Sequence, residues 1–507
     1  MNVSQFFDHW RISDNPFRGE EARHDAVFAR MTEDDALGAT HSDFEKIVGD
    51  LRHPSAAIVF GEKGSGKTAI RLQMARRIRQ HNEQHPGDKV LLVAYDDLNG
   101  VLDRFHARIG GRDPLASFEQ LKLVDHVDAI LGSVTPRLVE SILTVAEGSD
   151  RIDLGPESRR TTRRLTPDVK RDLLILQAVY DDPARADVRT ARLRRFLGVL
   201  LPARVVLWNL VALFGWLPAA AYAWIVYELV PVRPAWLLYP FIALLAFWAL
   251  AVFKVFAIDR LRLRRLGRKV RRQLRVIDRS DLSFARSLAQ LDPVVRSATV
   301  LPMADSDEPR YAMLERLKRV LGAFGYKGLI IVLDRVDEPT LISGDPARMQ
   351  AIVWPMLNTK FLQQEGLGIK LLLPVDLRHS LLKESSSFFQ GARLDKQNLV
   401  ERLSWTGAML YDLAEARLRA CQDEGAPKAH LINLFAEEVT RQDVVDALDQ
   451  MHQPRDAFKF LYRCLTEHCS NVTADDNEWK VPRLVLEMVR KQEAERLQQL
   501  YRGIRPA

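Results

Sequence analysis

The chain has 507 residues, 47% of them hydrophobic and 27% charged. That is length for about three domains, and the balance excludes a wholly disordered or collagen-like protein. Cys421, Cys464 and Cys469 are too few for a disulfide scaffold and match no common zinc spacing, and the histidines form no HExxH, so the compartment they suit is a reducing one. The net charge of +7 is a local property: residues 254–280 hold eleven basic side chains against Asp259 and Asp278, which leaves the rest of the chain slightly acidic.

In chain order, MNVSQFFDHW lacks a basic segment followed by an apolar core, so no secretory signal is expected. Residues 1–40 read as a lead-in. Ala56–Phe60 is a short apolar strand, GEKGSGKT (Gly61–Thr68) follows it, and AIRLQMARRIRQ continues as a helix. This is GxxxxGK[ST] in its strand–loop–helix setting. Gly61, Gly64 and Gly66 let backbone N–H groups turn inward around a phosphate without a Cβ clash, and the helix offers its N-terminus to the anion. Lys67 supplies a point charge for the β- and γ-phosphates, and Thr68 a hydroxyl for Mg²⁺. Gly61, Glu62, Lys63, Gly64, Ser65, Gly66, Lys67 and Thr68 together form the expected nucleotide-binding set.

Lys89–Asp97 reads as a second strand, and residues 100–195 as charged and helical, with RRTTRR at 159–164. Two uncharged runs follow, Val205–Tyr227 and Ala235–Phe253, separated by Glu228 and a short LVPVRP turn. Each run is long enough to cross a hydrocarbon core of about 30 Å as a helix, and Trp208, Tyr227 and Trp236 near their ends suit an interfacial belt. Arg192, Arg194, Arg195 and Arg204 precede the hairpin; Lys254, Arg260, Arg262, Arg264, Arg265, Arg268 and Lys269 follow it. Positive-inside bias then puts both flanks in the cytoplasm, as a two-helix hairpin requires. The alternative is a pair of buried core helices, for which Asn209, Pro218 and Pro240 speak. The basic stretch after the hairpin reads as a juxtamembrane helix drawn to anionic lipid. Nucleic-acid binding is the alternative, although no aromatics interleave with the arginines to stack bases.

Arg310–Phe324 is a further helix. GLIIVLDRVDEP, Gly328–Pro339, is a continuous apolar run of the kind found in central parallel strands. Asp334 ends it and is the expected carboxylate on the Mg²⁺ side. Asp337 and Glu338 follow, where either can orient an attacking water or simply cap the next element. Ile369–Asp376 is another strand, and Asp376 at its end is a candidate γ-phosphate sensor. Strands alternating with helices argue a doubly wound parallel sheet. Residues 395–470 are amphipathic and helical, as a lid would be, and a last amphipathic helix begins at Val481.

The order of phosphate loop, helical stretch, apolar hairpin, basic segment and acidic strand resembles the KAP family of P-loop NTPases, near the STAND and AAA+ ATPases, over roughly residues 40–470. The matching residues are Gly61–Thr68, Leu329–Glu338 and QPRDAFKFL, Gln453–Leu461. The last is similar to a lid element from which an arginine approaches the nucleotide, and that role falls to Arg455; the alternative is a helix-start arginine paired to a nearby acid. DNPF, Asp14–Phe17, is similar to the segment that leads into AAA-type domains and can cradle the base. One departure is that Asp334 is followed by Arg335, with the next acid at Asp337. It implies slow hydrolysis, or catalysis through Asp337 or Glu338.

The expected fold is therefore α/β: a doubly wound parallel-sheet P-loop NTPase domain with an inserted two-helix transmembrane hairpin and a C-terminal helical lid. Its expected segments are 1–40, a lead-in; 41–135 and 301–390, the two parts of the nucleotide domain; 136–204, a helical connector; 205–253, the hairpin; 254–300, a basic juxtamembrane helix; and 391–507, the lid. The resemblance implies an ATP- and Mg²⁺-dependent ATPase of the inner membrane, two-pass, with both termini and the nucleotide domain in the cytoplasm. It would act on a membrane-associated protein partner or complex, in bacteria sometimes in phage exclusion. In a homo-oligomer a neighbour can offer an arginine finger, for which Arg378, Arg393 and Arg402 are all available and unranked. The alternatives are a nucleotide-binding switch with negligible turnover and a membrane-tethered nucleic-acid-handling ATPase.

Overall fold

The computed structural model describes every residue except 19–20, 34–38, 144–150, 230–233, 297–299, 386–387, 390–391, 395–396, 424, 426–428, 474–476 and 502–507. Most of the expected hairpin turn, including Arg233, lies outside the described residues. The chain forms two compact units: residues 1–96, 328–350 and 357–507 make one, and residues 97–327 with 351–356 make the other. Residues 97–135, read from sequence as nucleotide domain, belong to the second unit.

The first unit is built on a five-stranded, all-parallel sheet. Its strands are β1 (Ala57–Gly61), β2 (Lys89–Tyr95), β3 (Tyr326–Leu333), β4 (Leu367–Pro374) and β5 (Asn398–Val400), in the order β2-β3-β4-β1-β5. Every residue of β1 and β4 is buried, as continuous apolar runs require of a parallel sheet covered on both sides. On one face Val59, Ile330, Val332 and Leu372 pack against Ile70, Met74 and Ile78 of the helix Lys67–Gln84 and against Phe44 and Ile47. The alternate residues Ile58, Phe60, Ile331, Leu371 and Leu373 are equally buried. The exception is Lys370 in mid-strand, which donates to Val48 O at 3.0 Å and whose burial lowers its pKa to about 8.

Strand order positions the chemistry. Parallel strands end on the same edge, so the loop after β1 and the acid after β3 open together. They are separated by β4, which pairs with both: Ile58 aligns with Leu371, and Leu371 with Leu333. Across one intervening strand that is a gap of about 10 Å, which the loop and its helix bridge.

A second core in this unit joins the two ends of the chain. Phe6, Phe7, Ile12, Phe17, Val27 and Met31 pack among residues of the helices Gly407–Ala420, Arg441–Asp449, Pro454–Asn471 and Arg483–Tyr501. Arg417 fastens the N-terminal segment, pairing with Asp25 at 2.6 Å and donating to Pro16 O at 2.5 Å. These N-terminal residues thus share a core with the C-terminal helices rather than standing apart as a lead-in.

The other unit is helical. Leu123–Leu143, Pro167–Tyr180 and Asp307–Gly322 pack together around buried Asp128, which accepts from Tyr180 Oη at 2.8 Å and from both Nε and NH2 of Arg310 at 3.3 and 3.2 Å. Two helices of this unit, Ala203–Glu228 and Ala235–Gln273, are long and apolar enough to cross a membrane, and their apolar windows are 11% and 6% buried. That exposure removes the case for a buried core pair. The first breaks between Phe214 and Leu217, where Pro218 lacks the N–H that would continue the ladder. Trp248 of the second donates to Ala212 O at 3.0 Å and lies over Gly215, where a Cβ would come within 3.1 Å of its ring.

The basic stretch differs from its expectation of one helix over 254–300. It continues the apolar helix through a π-helical turn, Lys254–Asp259, and ends at Gln273. A second helix, Asp281–Ala289, packs back on it at Gly267, where a Cβ would meet Ala285 N at 3.0 Å.

Candidate functional site

The site opens at the carboxyl edge of the sheet. Gly64 and Gly66 stand at φ +99° and +93°, a region where a side chain is strained, and Gly66 is the N-cap of the helix beginning at Lys67. A Cβ on Gly64 would come within 3.0 Å of Arg455 Cβ and 3.1 Å of Gln453 Oε1, so the loop meets the start of the helix Pro454–Asn471 there. Lys67 turns into the loop, its Nζ donating to Gly61 O at 2.7 Å and Glu62 O at 2.9 Å. Burial lowers its pKa, and the charges of Asp337, Asp334, Asp376 and Glu62 oppose that. Ser65 is 1% exposed, and its hydroxyl has no hydrogen-bond partner among the described residues. Lys63 is exposed.

Thr68 reaches across β4: its hydroxyl donates to Asp334 Oδ2 at 3.1 Å. Asp334 is 1% exposed, and burial pushes its pKa up while Arg71, Thr68 and Lys67 hold it down. One turn beyond Thr68 on the same helix face, Arg71 lies between two acids, with NH1 2.7 Å from Asp96 Oδ2 and Nε 3.5 Å from Asp334 Oδ2. Arg23 also pairs with Asp96. This ladder of alternating charge was not foreseen. Its only sequence signal is the position of Arg71 four residues after Lys67 and of Asp96 at the end of β2.

Beyond Asp334 the backbone turns sharply. Arg335 sits at φ +61°, a left-handed conformation uncommon for a residue with a Cβ. Its N–H donates to Asp334 Oδ1 at 3.0 Å, its Nε to Glu338 Oε1 at 2.6 Å and its NH2 to Glu21 Oε2 at 2.9 Å. Glu338 is therefore engaged by Arg335. Asp337 is partly buried and, like Glu338, lines the same cavity. Asp376 lines it too, from the first turn of the helix Val375–Leu382.

The cavity encloses about 300 Å³ within the first unit, the lower end of the usual range for small-molecule sites. It brings together Gly61, Glu62, Lys63, Gly64, Gly66, Lys67, Thr68, Asp334, Asp337, Glu338 and Arg455; Ser65 lies behind them. Arg455 stands in the first turn of the helix Pro454–Asn471 and has no ion pair among the described residues. Glu62 ties the loop to the C-terminal part of the chain, accepting from Arg402 at 2.6 Å and from Gln453. Trp405 closes the loop from the same side, its Nε1 donating to Ser65 O at 2.8 Å.

Phe28, His41, Trp405, Leu413 and Phe458 give the cavity an apolar, aromatic portion, none of it foreseen. DNPF does not line it; Asp14 pairs with Arg30 and Pro16 with Arg417, and residues further on, from Glu21 to Phe28, face the space instead. Arg378 pairs with Glu401 at 2.7 Å, and neither it, Arg393 nor Arg402 lines the cavity.

The residues fit a nucleotide polyphosphate. A loop whose two left-handed glycines strain any side chain, a half-buried lysine and a buried hydroxyl without a partner among the described residues make a concave donor set. Among the described residues no cluster of three or more His, Cys, Asp or Glu could hold a metal by itself. Thr68 and Asp334 offer two oxygens, which suits Mg²⁺, an ion that takes few protein ligands and completes its shell with phosphate and water. No family model, curated protein or solved structure matches the chain.

Proposed function

We propose that the chain is a membrane-anchored ATPase of the KAP type, which binds ATP·Mg²⁺ in this cavity and uses its hydrolysis to move the lid. The observation that carries the reading is the Thr68–Asp334 hydrogen bond beside Lys67. The adjacent Lys67 and Thr68 meet Asp334 from a distant part of the chain, an arrangement that supports a terminal phosphate and its cation at this point.

In this reading Lys67 exchanges the carbonyls of Gly61 and Glu62 for β- and γ-phosphate oxygens, and Ser65 and the loop N–H groups take the remaining ones. Thr68 and Asp334 hold Mg²⁺, which when bound neutralises phosphate charge. Arg71 opposes the rise in pKa that burial imposes on Asp334. Asp337 and Glu338 are the acids placed to orient water, and Arg455 brings positive charge from the lid as it closes on Gly64. The aromatic portion receives the base. The hairpin crosses the inner membrane twice with both flanks in the cytoplasm, because the arginines lie on the flanks. The partner is a membrane-associated protein or complex, in a homo-oligomer, and phage exclusion is one process such an arrangement serves.

Equilibrium binding of ATP with and without Mg²⁺ tests this directly. Lys67→Ala should weaken binding at least tenfold, and Asp334→Asn should remove the Mg²⁺ dependence. Unchanged affinity in both variants would sink the reading. The contact of Arg335 with Glu338 favours a second reading, a nucleotide switch with little turnover, since it withholds one of the two candidate bases. Nucleotide binding without multiple turnover would select it.

A further inference from the structure

The hairpin helices are held in register by Lys254, whose ammonium lies 4.1 Å from the centroid of the Trp208 ring. These two residues therefore share one depth. The helices run antiparallel and the first touches the π turn, so five residues outward on each, Ala203 and Asp259 share another. At 1.5 Å per residue that second level is about 7–8 Å further out. The interfacial layer of a bilayer is about 5–8 Å thick on each side.

Two large apolar side chains stand at this second level with no protein over them. Leu200, three residues before the first helix, is 89% exposed, and Val294, in the 3₁₀ turn Pro293–Arg296, is 80% exposed. The two are brought to one side because the helices Ala186–Phe196 and Asp281–Ala289, which lead to them, pack on each other; Thr190 Oγ1 donates to Ser287 Oγ at 3.0 Å. The helix Asp281–Ala289 packs back along Arg260–Gln273 at Gly267, which returns the Val294 turn towards that level. Phe256 and Leu261, 52% and 50% exposed, continue the apolar surface on the second helix, with Arg260 stacked on Phe256 at 4.8 Å. Apolar side chains interleaved with Arg204, Lys254 and Arg260 match an interface in which apolar groups enter the acyl boundary and cations remain among headgroups.

We infer that the segments carrying Leu200 and Val294 lie in the lipid headgroup layer, so that the helical unit rests on the bilayer through an apolar collar around the feet of the hairpin. The inference rests on the reading of the hairpin as membrane-spanning. Phospholipid covers the collar, continuous with the lipid around the exposed helices above it. Past the collar, the helix Arg260–Gln273 climbs about 20 Å, beyond a Debye length of about 8 Å, so most of its arginines act away from the lipid surface.

The test uses full-length protein in nanodiscs. The natural cysteines are buried, so single cysteines introduced as Leu200→Cys, Val294→Cys, Leu250→Cys and Leu484→Cys can carry an environment-sensitive fluorophore, with the unsubstituted chain as background. Leu250 lies within the hairpin and Leu484 is 79% exposed in the other unit. The expected result is blue-shifted emission at 200 and 294, quenched more by a lipid spin label near the headgroup than by one deep in the chain. Leu250→Cys should be quenched by the deep label and Leu484→Cys by neither. Quenching at 250 with water-like emission at 200 and 294 would overturn the collar alone. Water-like emission at 250 as well would overturn the membrane-spanning reading and the collar with it.

Discussion

Arg335 separates stability from turnover. Its left-handed φ of +61° costs a residue with a Cβ about 1–2 kcal/mol. Its pairs to Glu338 and Glu21 join it to acids whose side chains are 47% and 50% exposed, so each is worth about 0.2–1 kcal/mol. Arg335→Gly loses the pairs but sheds the strain, at an unfolded-state entropy cost of about 0.4–1 kcal/mol; it should fall within about 1 kcal/mol of the parent. Arg335→Ala loses the pairs and keeps the strain, so it should be about 1 kcal/mol less stable than the glycine variant. Both release Glu338. A positioned general base contributes about 10²–10⁴ in rate, so if Arg335 withholds Glu338 both variants should raise steady-state phosphate release by about tenfold or more. Urea denaturation and phosphate release on the same preparations supply the two readouts. Equal stability of Gly and Ala would refute the strain argument. Folded variants that turn over no faster than the parent would refute the assignment of Glu338 as a withheld base.

Other outcomes follow from single contacts. Trp405→Phe keeps the packing on the loop but removes the 2.8 Å bond to Ser65 O; the loss of about 0.5–1.5 kcal/mol should appear as ATP affinity lowered about two- to tenfold in equilibrium dialysis. Arg310→Ala strands the Asp128 carboxylate, which is 0% exposed, and should cost about 3–5 kcal/mol. Adding Asp128→Ala should recover part of that in a denaturation cycle, because the buried charge is then gone. His126 is buried, donates to Ile352 O at 2.9 Å and has its pKa lowered by burial to about 4. Its stabilising contribution is complete above the unfolded value of about 6.5 and is lost as pH falls from there to about 4, because only the unfolded chain takes up the proton. That amounts to about 3 kcal/mol, and His126→Gln, which retains an N–H donor, should flatten that part of the stability–pH curve.

The loop, the acid after β3 and the apolar helices were legible in sequence because each is a local pattern. Glycines at set positions, an uninterrupted run such as Leu329–Leu333 and two long uncharged stretches need no knowledge of the rest of the chain. What escaped was set by pairing. That β4 separates β1 from β3 follows from which strand finds which, and no residue in either run announces it. β5 spans three residues, Asn398–Val400, too short for any periodicity. The Arg71–Asp96 pair joins a helix to the end of β2, and the docking of Phe6 and Phe7 among the C-terminal helices brings together residues more than 400 positions apart. The break at Pro218 was legible in kind, since a proline four residues past Phe214 removes a donor, but the uninterrupted apolar composition concealed it.

The central claim is that Lys67, Thr68 and Asp334 form one phosphate- and magnesium-handling centre. The most direct measurement is multiple-turnover phosphate release by the full-length protein in nanodiscs containing anionic lipid, beside Lys67→Ala and Asp334→Asn. The account predicts Mg²⁺-dependent turnover in the parent that both substitutions reduce at least a hundredfold, a loss of about 3 kcal/mol of transition-state stabilisation, while each variant keeps its cooperative unfolding transition. Turnover that persists in either folded variant would contradict it.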